Sequence, residues 1–194
     1  MKGLLTILFL SLCSSVVAQD SIDVSVQRQK RIMFNVAFNL GHSNVGLFGD
    51  VDTIRGLQVN AFSSVSRKEM RGVQLSAIYN ISKRMRGVQI SGLGNVATEP
   101  LRGVQLSGVT NVAMGVKRGI QISGVANICS SYMRGIQMSG YNYADSLNGW
   151  QIGLVNSCIS HPRGWQVGII NYSRDTKVHK LGLVNINPLT RVDL

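Results

Sequence analysis

From residue 55 onward, apolar and polar positions alternate around glutamines that return at a nearly fixed interval. Gly56-Leu57-Gln58-Val59, Gly72-Val73-Gln74-Leu75, Gly87-Val88-Gln89-Ile90 and Gly103-Val104-Gln105-Leu106 each set one Gln between two apolar residues. Gly119-Ile120-Gln121-Ile122, Gly135-Ile136-Gln137-Met138, Gly149-Trp150-Gln151-Ile152 and Gly164-Trp165-Gln166-Val167 continue the series. Lys177-Val178-His179-Lys180-Leu181 closes it as a degenerate unit. Successive glutamines lie 16, 15, 16, 16, 16, 14 and 15 positions apart, and self-similarity at a fixed period is the signature of stacked repeats.

A second polar column runs through Asn80, Asn95, Asn111, Asn127, Asn142, Asn156, Asn171 and Asn185. Gly92, Gly108, Gly124 and Gly140, then Gly153, Gly168 and Gly182, fall between the two columns. Helix is excluded. Two glycines per unit would each cost about 1 kcal/mol there, and the apolar sites favour Val and Ile, which suit strands. Apolar–Gln–apolar alternation is the period of a strand. Each unit therefore reads as a short strand, a glycine bend, a second short strand and a polar turn. One unit makes one coil, and coils stacked about 4.8 Å apart bury a continuous core. The expected fold is all-β, a parallel β-helix-like solenoid of about nine coils, with 55–194 as the repeat domain. Amides in phase are expected to form interior ladders, each hydrogen-bonding to its copy in the neighbouring coil.

The units resemble the tandem GxQxGxxN repeats of bacterial surface proteins of the spirochaete and Bacteroidetes type. Gly149-Trp150-Gln151-Ile152-Gly153-Leu154-Val155-Asn156 and Gly164-Trp165-Gln166-Val167-Gly168-Ile169-Ile170-Asn171 match the motif directly. Earlier units carry an inserted Ser, as in Gly103-Val104-Gln105-Leu106-Ser107-Gly108-Val109-Thr110-Asn111. The likeness covers residues 55 to 187. It implies an envelope or surface location and no chemistry.

The chain before the repeat reads differently. Lys2, the apolar run Leu4 to Leu12, and Val16 and Ala18 at the −3 and −1 positions form a secretory signal peptide over 1–18, cleaved before Gln19. Cys13 raises a lipoprotein variant, but Leu12 stands where a small residue belongs. Residues 19–54 are expected to cap the open edge of the solenoid or to hold a worn repeat. Pro188 is expected to stop the last coil, because proline cannot donate to another ladder. The signal places the protein in the periplasm, the outer membrane or at the cell surface.

Charge then narrows the partners. The chain carries a formal +11, or +10 without Lys2. Such a charge speaks of partners and solubility rather than of fold. Arg55, Arg71, Arg86, Arg102, Arg118, Arg134 and Arg163, with Lys177, fall in one column that Asn148 interrupts. On a solenoid they make a stripe suited to anionic surface polysaccharide or lipid head groups; no specific nucleic-acid motif accompanies it. Arg67, Lys68, Lys83, Arg84 and Lys117 at nearby turns thicken the positive face. The competing reading is that the arginines pack their stems beside the turn and discourage aggregation.

Catalytic, cofactor and metal sites are not expected. Glu69, Glu99, Asp145, Asp175 and Asp193 are scattered over non-adjacent turns, whereas glycan cleavage needs paired carboxylates. His42, His161 and His179 lack companions for a metal, and Asp50-Val51-Asp52 reads as a solvated turn. Trp150 and Trp165 take the slot held by Val or Ile in earlier coils, and are expected to fill the core rather than stack on sugar. Cys129 and Cys158 share one column two coils apart, too far to bridge. The rival architecture is an outer-membrane β-barrel, opposed by the mid-unit glycine and the uniform turns. A polysaccharide-active β-helix enzyme is the other rival.

Overall fold

A computed structural model describes residues 36–40, 43–174 and 178–188, which form strands and turns with no helix. The expected signal segment 1–18, with Cys13, and Lys177 lie outside the described residues. The strands run β1 (Val36–Leu40), β2 (Ser43–Ile54), β3 (Leu57–Ser76), β4 (Tyr79–Ser91), β5 (Gly94–Ala97) and β6 (Leu101–Ser107). β7 (Thr110–Ala113), β8 (Val116–Ser123), β9 (Ala126–Val167), β10 (Ile170–Ser173), β11 (Val178–Leu181) and β12 (Val184–Ile186) follow. Together they wind into a β-solenoid of about nine coils.

Like stacks on like. Gln74 pairs with Gln89, Gln89 with Gln105 and Gln105 with Gln121, while Asn95 pairs with Asn80 on one side and Asn111 on the other. Pairing from β2 onward is parallel, whereas neighbouring strands of an outer-membrane barrel run antiparallel. Among the described strands only β1 runs the other way, Leu40 against Ser43 and Phe38 against Val45, and so lies along the edge of β2. Ser43–Ile54 is itself a coil, with Asn44 opposite Gln58 and Ile54 opposite Met70.

The interior is built largely from amides. Gln58, Gln74, Gln89, Gln105, Gln121, Gln137, Gln151 and Gln166 are fully buried, as are the asparagines from Asn80 to Asn171 in the second column. Beside them a column of Ile54, Met70, Met85, Leu101, Val116, Met133 and Leu147 packs against a small column of Ala97, Ala113, Cys129, Ala144 and Cys158. Large residues on one wall thus face small ones on the other, filling a narrow bore. Most of the large column directly precedes Arg-Gly, visible in the sequence as a recurring Met, Leu or Ile, while Val116 stands one place earlier, before Lys117-Arg118.

The two amide ladders point in opposite directions. Each Gln donates one coil back: Gln74 to Gln58 at 2.7 Å, Gln121 to Gln105 at 2.9 Å, Gln166 to Gln151 at 2.8 Å. Each Asn donates one coil forward: Asn80 to Asn95 at 2.9 Å, Asn111 to Asn127 at 3.0 Å, Asn171 to Asn185 at 3.0 Å. Aligned amide dipoles add head to tail, so antiparallel columns cancel along the bore. The direction also fixes where acceptors run out: the oxygens of Asn80, first in its ladder, and of Gln166, last in its own, have no donor. Lys180 takes the Gln column below Gln166 and donates instead to the Ile186 carbonyl at 2.7 Å.

The placement of Trp150 and Trp165 corrects the sequence reading. They are 44% and 41% exposed rather than core. Successive strand residues point to opposite faces, and each Gln points inward, so both of its neighbours point out. Two apolar columns therefore line the outside. One runs through Leu57, Val73, Val88, Val104, Ile120, Ile136, Trp150 and Trp165; the other through Leu75, Ile90, Leu106, Ile122, Met138, Ile152 and Val167.

Candidate anion-binding face

The same strand period that sends Met or Leu inward sends the following Arg outward. Arg55, Arg71, Arg86, Arg102, Arg118, Arg134 and Arg163 are all exposed. Arg71 pairs with Arg86, Arg86 with Arg102 and Arg102 with Arg118 in adjacent strands. The glycine after each Arg holds the column in line. Gly72, Gly87, Gly103 and Gly135 have φ of 130°, 142°, 138° and 132°, a conformation in which side chains are strained. A Cβ at Gly87 would lie 2.0 Å from the Gly72 carbonyl oxygen, and one at Gly149 the same distance from that of Gly135. Gly164 stacks likewise on Gly149, so the column continues from Arg134 through Asn148 to Arg163.

Among the described residues, a carboxylate answers the column only at Arg71 and Arg86. Glu69 lies 3.0 Å from Arg71 and 3.8 Å from Arg86. The hydrogen bond from Arg71 holds the Glu69 carboxyl below its ordinary range, with Arg86 and Arg84 adding to the effect. Among the described residues, Arg102, Arg118, Arg134 and Arg163 have no carboxylate partner. The extra basic residues at the turns differ: Arg67 pairs with Asp50, Lys68 with Asp52 at 2.8 Å, and Arg84 with Glu99 at 3.0 Å. Asp50 and Asp52 thus act as counterions for the next coil. Among the described residues, the arginines without a carboxylate partner thus gather mainly in the column.

The gap in the column is the concave point. Asn148, shorter than Arg, sits in a cleft of about 550 Å³ lined by Arg102, Arg134, Arg163, Tyr132, Met133 and Ser146. Three guanidiniums, two hydroxyls and an amide form a donor set for a phosphate, sulfate or carboxylate group. The interruption at Asn148 was legible in sequence; that Tyr132 and Ser146 join it was not, because they come from the variable turn.

The aromatic pair lies along the neighbouring column. Trp150 and Trp165 stack with ring centroids 5.6 Å apart and 13° between planes, and Trp165 stacks on His179 at 4.6 Å and 26°. Both faces of Trp165 are thereby covered, leaving ring edges toward solvent. A sugar stacks on ring faces, so this pair is not a glycan platform.

Among the described residues no group of three or more His, Cys, Asp or Glu is placed to hold a metal ion. Cys129 and Cys158 are buried thiols that donate to backbone carbonyls, Cys129 to Tyr132 at 3.2 Å and Cys158 to Asp145 at 3.6 Å. Burial pushes the Cys129 thiol up to about 11, far from the range of a reactive nucleophile. No protein-family model, curated protein or solved structure matches the chain.

Proposed function

We propose that this chain is an exported, non-enzymatic scaffold of the bacterial envelope or cell surface that holds polyanions along its Arg column. The observation that carries the reading is the register: arginines in adjacent coils, exposed, with Arg102, Arg118, Arg134 and Arg163 lacking carboxylate partners among the described residues. Neighbouring unit charges at a strand spacing repel by about 0.9 kcal/mol in water and less in salt. Such a column is tolerable alone and gains when an anionic chain runs along it. The signal-like first 18 residues and the resemblance to GxQxGxxN surface repeats support the export and envelope part of the reading.

Heparin chromatography tests it. Replacing Arg86, Arg102 and Arg118 by Gln is expected to move elution to lower salt while circular dichroism stays unchanged. A control with Lys68, Lys83 and Arg84 replaced by Gln removes the same formal charge from turns. Equal losses in the two variants would reduce the column to generic surface charge.

A further inference from the structure

The apolar columns outside the solenoid are unexplained by an anion-binding stripe alone. The chain spends its interior on amides and puts Val104, Ile120, Ile136, Ile122 and Met138 on an outer face. Arg102, Arg118 and Arg134 lie on that same face, two residues before the first apolar column, or about 7 Å along the strand. The face from the Arg column to the second apolar column is about 13 Å wide, and eight coils make it nearly 40 Å long. Its apolar part, between the two apolar columns, is about 7 Å wide, a strip of roughly 270 Å² bordered along its length by guanidiniums.

Charge chooses among occupants. An anionic glycan could meet the guanidiniums but gains little from the two aliphatic columns beside them, and both faces of Trp165 are covered. A second copy would bring another arginine column, and Arg102, Arg118, Arg134 and Arg163 have no carboxylates to answer it among the described residues. A lipid leaflet rich in anionic head groups matches both halves of the face at once. Phosphates meet the guanidiniums in paired hydrogen bonds, and the apolar columns with their indole edges reach the boundary of the acyl region.

We propose that the solenoid lies flat on an anionic bilayer, its axis parallel to the membrane, through the face that carries the Arg column and the two apolar columns. This rests on the polyanion reading above and names the anionic lipid surface as its partner. Both tryptophans of the chain sit on this face, so their fluorescence reports on it alone.

The test is flotation of the purified protein with vesicles of phosphatidylcholine, with and without equal phosphatidylglycerol, alongside heparin retention. Binding to the anionic vesicles only, with a blue shift of tryptophan emission and quenching by brominated acyl chains, is the expected result. Replacing Ile120, Ile122 and Ile136 by Thr keeps β-branched residues at outward, half-buried or exposed positions; it should cut vesicle partitioning at least tenfold and leave heparin elution unchanged. Each Arg near an anionic surface strengthens partitioning about fivefold, so Arg86, Arg102 and Arg118 changed to Gln should cost about a hundredfold and weaken heparin binding too. Vesicle binding without any tryptophan shift, or undiminished in the Thr variant, overturns the proposal. So does a dimer in sedimentation that ignores vesicles, which would make the face an interface between copies. Heparin retention without vesicle binding sinks the bilayer inference alone; vesicle binding without heparin retention sinks the general polyanion reading and leaves the bilayer.

Discussion

Gln105 donates its side-chain N–H to the Oε1 of Gln89, 2.9 Å away and one coil toward the N-terminus. Six residues later, Asn111 donates forward to Asn127 and also to its own coil's Gln105 carbonyl at 3.2 Å. In the units where the bend is one residue shorter, the roles change. There Gln137, Gln151 and Gln166 donate across the bore to Tyr143, Ser157 and Tyr172 carbonyls at 3.1, 3.2 and 3.1 Å. Either way each coil is laced to itself as well as to its neighbours.

This interior makes the stability of adjacent residues run opposite to their hydrophobicity. Gln105→Leu leaves the Gln89 oxygen and the Gln121 N–H buried without partners. At about 1–3 kcal/mol for each unsatisfied group, the loss should reach about 2–5 kcal/mol. Val104→Thr, on the outer face, should stay within about 0.5 kcal/mol. Urea unfolding of the two variants distinguishes the amide core from an apolar one, which would reverse the order.

Glycines should divide by what lies opposite them. Gly87 sits at φ 142° with the Gly72 backbone 2.0 Å from its would-be Cβ, so Gly87→Ala is expected to cost about 3 kcal/mol or more. Gly94 has only the Thr110 oxygen at 3.2 Å and a methyl at 3.3 Å, and Gly94→Ala should cost less than about 1 kcal/mol. Thermal melts followed by far-ultraviolet circular dichroism measure both. A benign Gly87→Ala would mean that the coils do not approach so closely.

The buried thiol gives a pH signature. Burial disfavours the Cys129 thiolate and raises the thiol from its ordinary value of 9.0 to about 11 in the folded chain. Its contribution is fully present below pH 9 and is lost as pH rises to about 11, since only the unfolded chain releases the proton. The fall should approach about 2 kcal/mol. Cys129→Ala is expected to flatten that part of the stability curve. Register adds a second expectation: with Ala144 between them in the column, Cys129 and Cys158 stand about 9.6 Å apart, beyond the roughly 7 Å reach of a disulfide. Alkylation of unreduced, unfolded protein followed by mass spectrometry should label both; a native bridge would break the stacked register.

Asn148 offers a gain rather than a loss. Asn148→Arg fills the gap between Arg134 and Arg163, making the column continuous. Elution from heparin should move to higher salt. Earlier elution would show that the cleft holds the anion and that the new side chain obstructs it.

The repeat period, the exclusion of helix, the solenoid and its paired amide columns were legible in the chain because they follow from local rules. Glycine at two fixed places per unit, strand alternation around Gln and the in-phase Asn leave little else that stacks. The Arg column was legible for the same reason: equal periods put equal positions side by side. What the chain by itself left open was where the apolar neighbours of each Gln go. The in-phase amides read as interior ladders, yet hydrophobicity draws Trp150 and Trp165 inward as well, although strand alternation cannot bury a Gln together with both of its neighbours. Only the stacked coils decide it, because a Gln or Asn buried alone loses its hydrogen bonds to water, while one with a copy above and below keeps them. The tertiary structure likewise decided which charges remain unanswered. Asp50, Asp52 and Glu99 meet Arg67, Lys68 and Arg84 only across a coil step, at sequence separations of 15 to 17 residues that no local pattern joins.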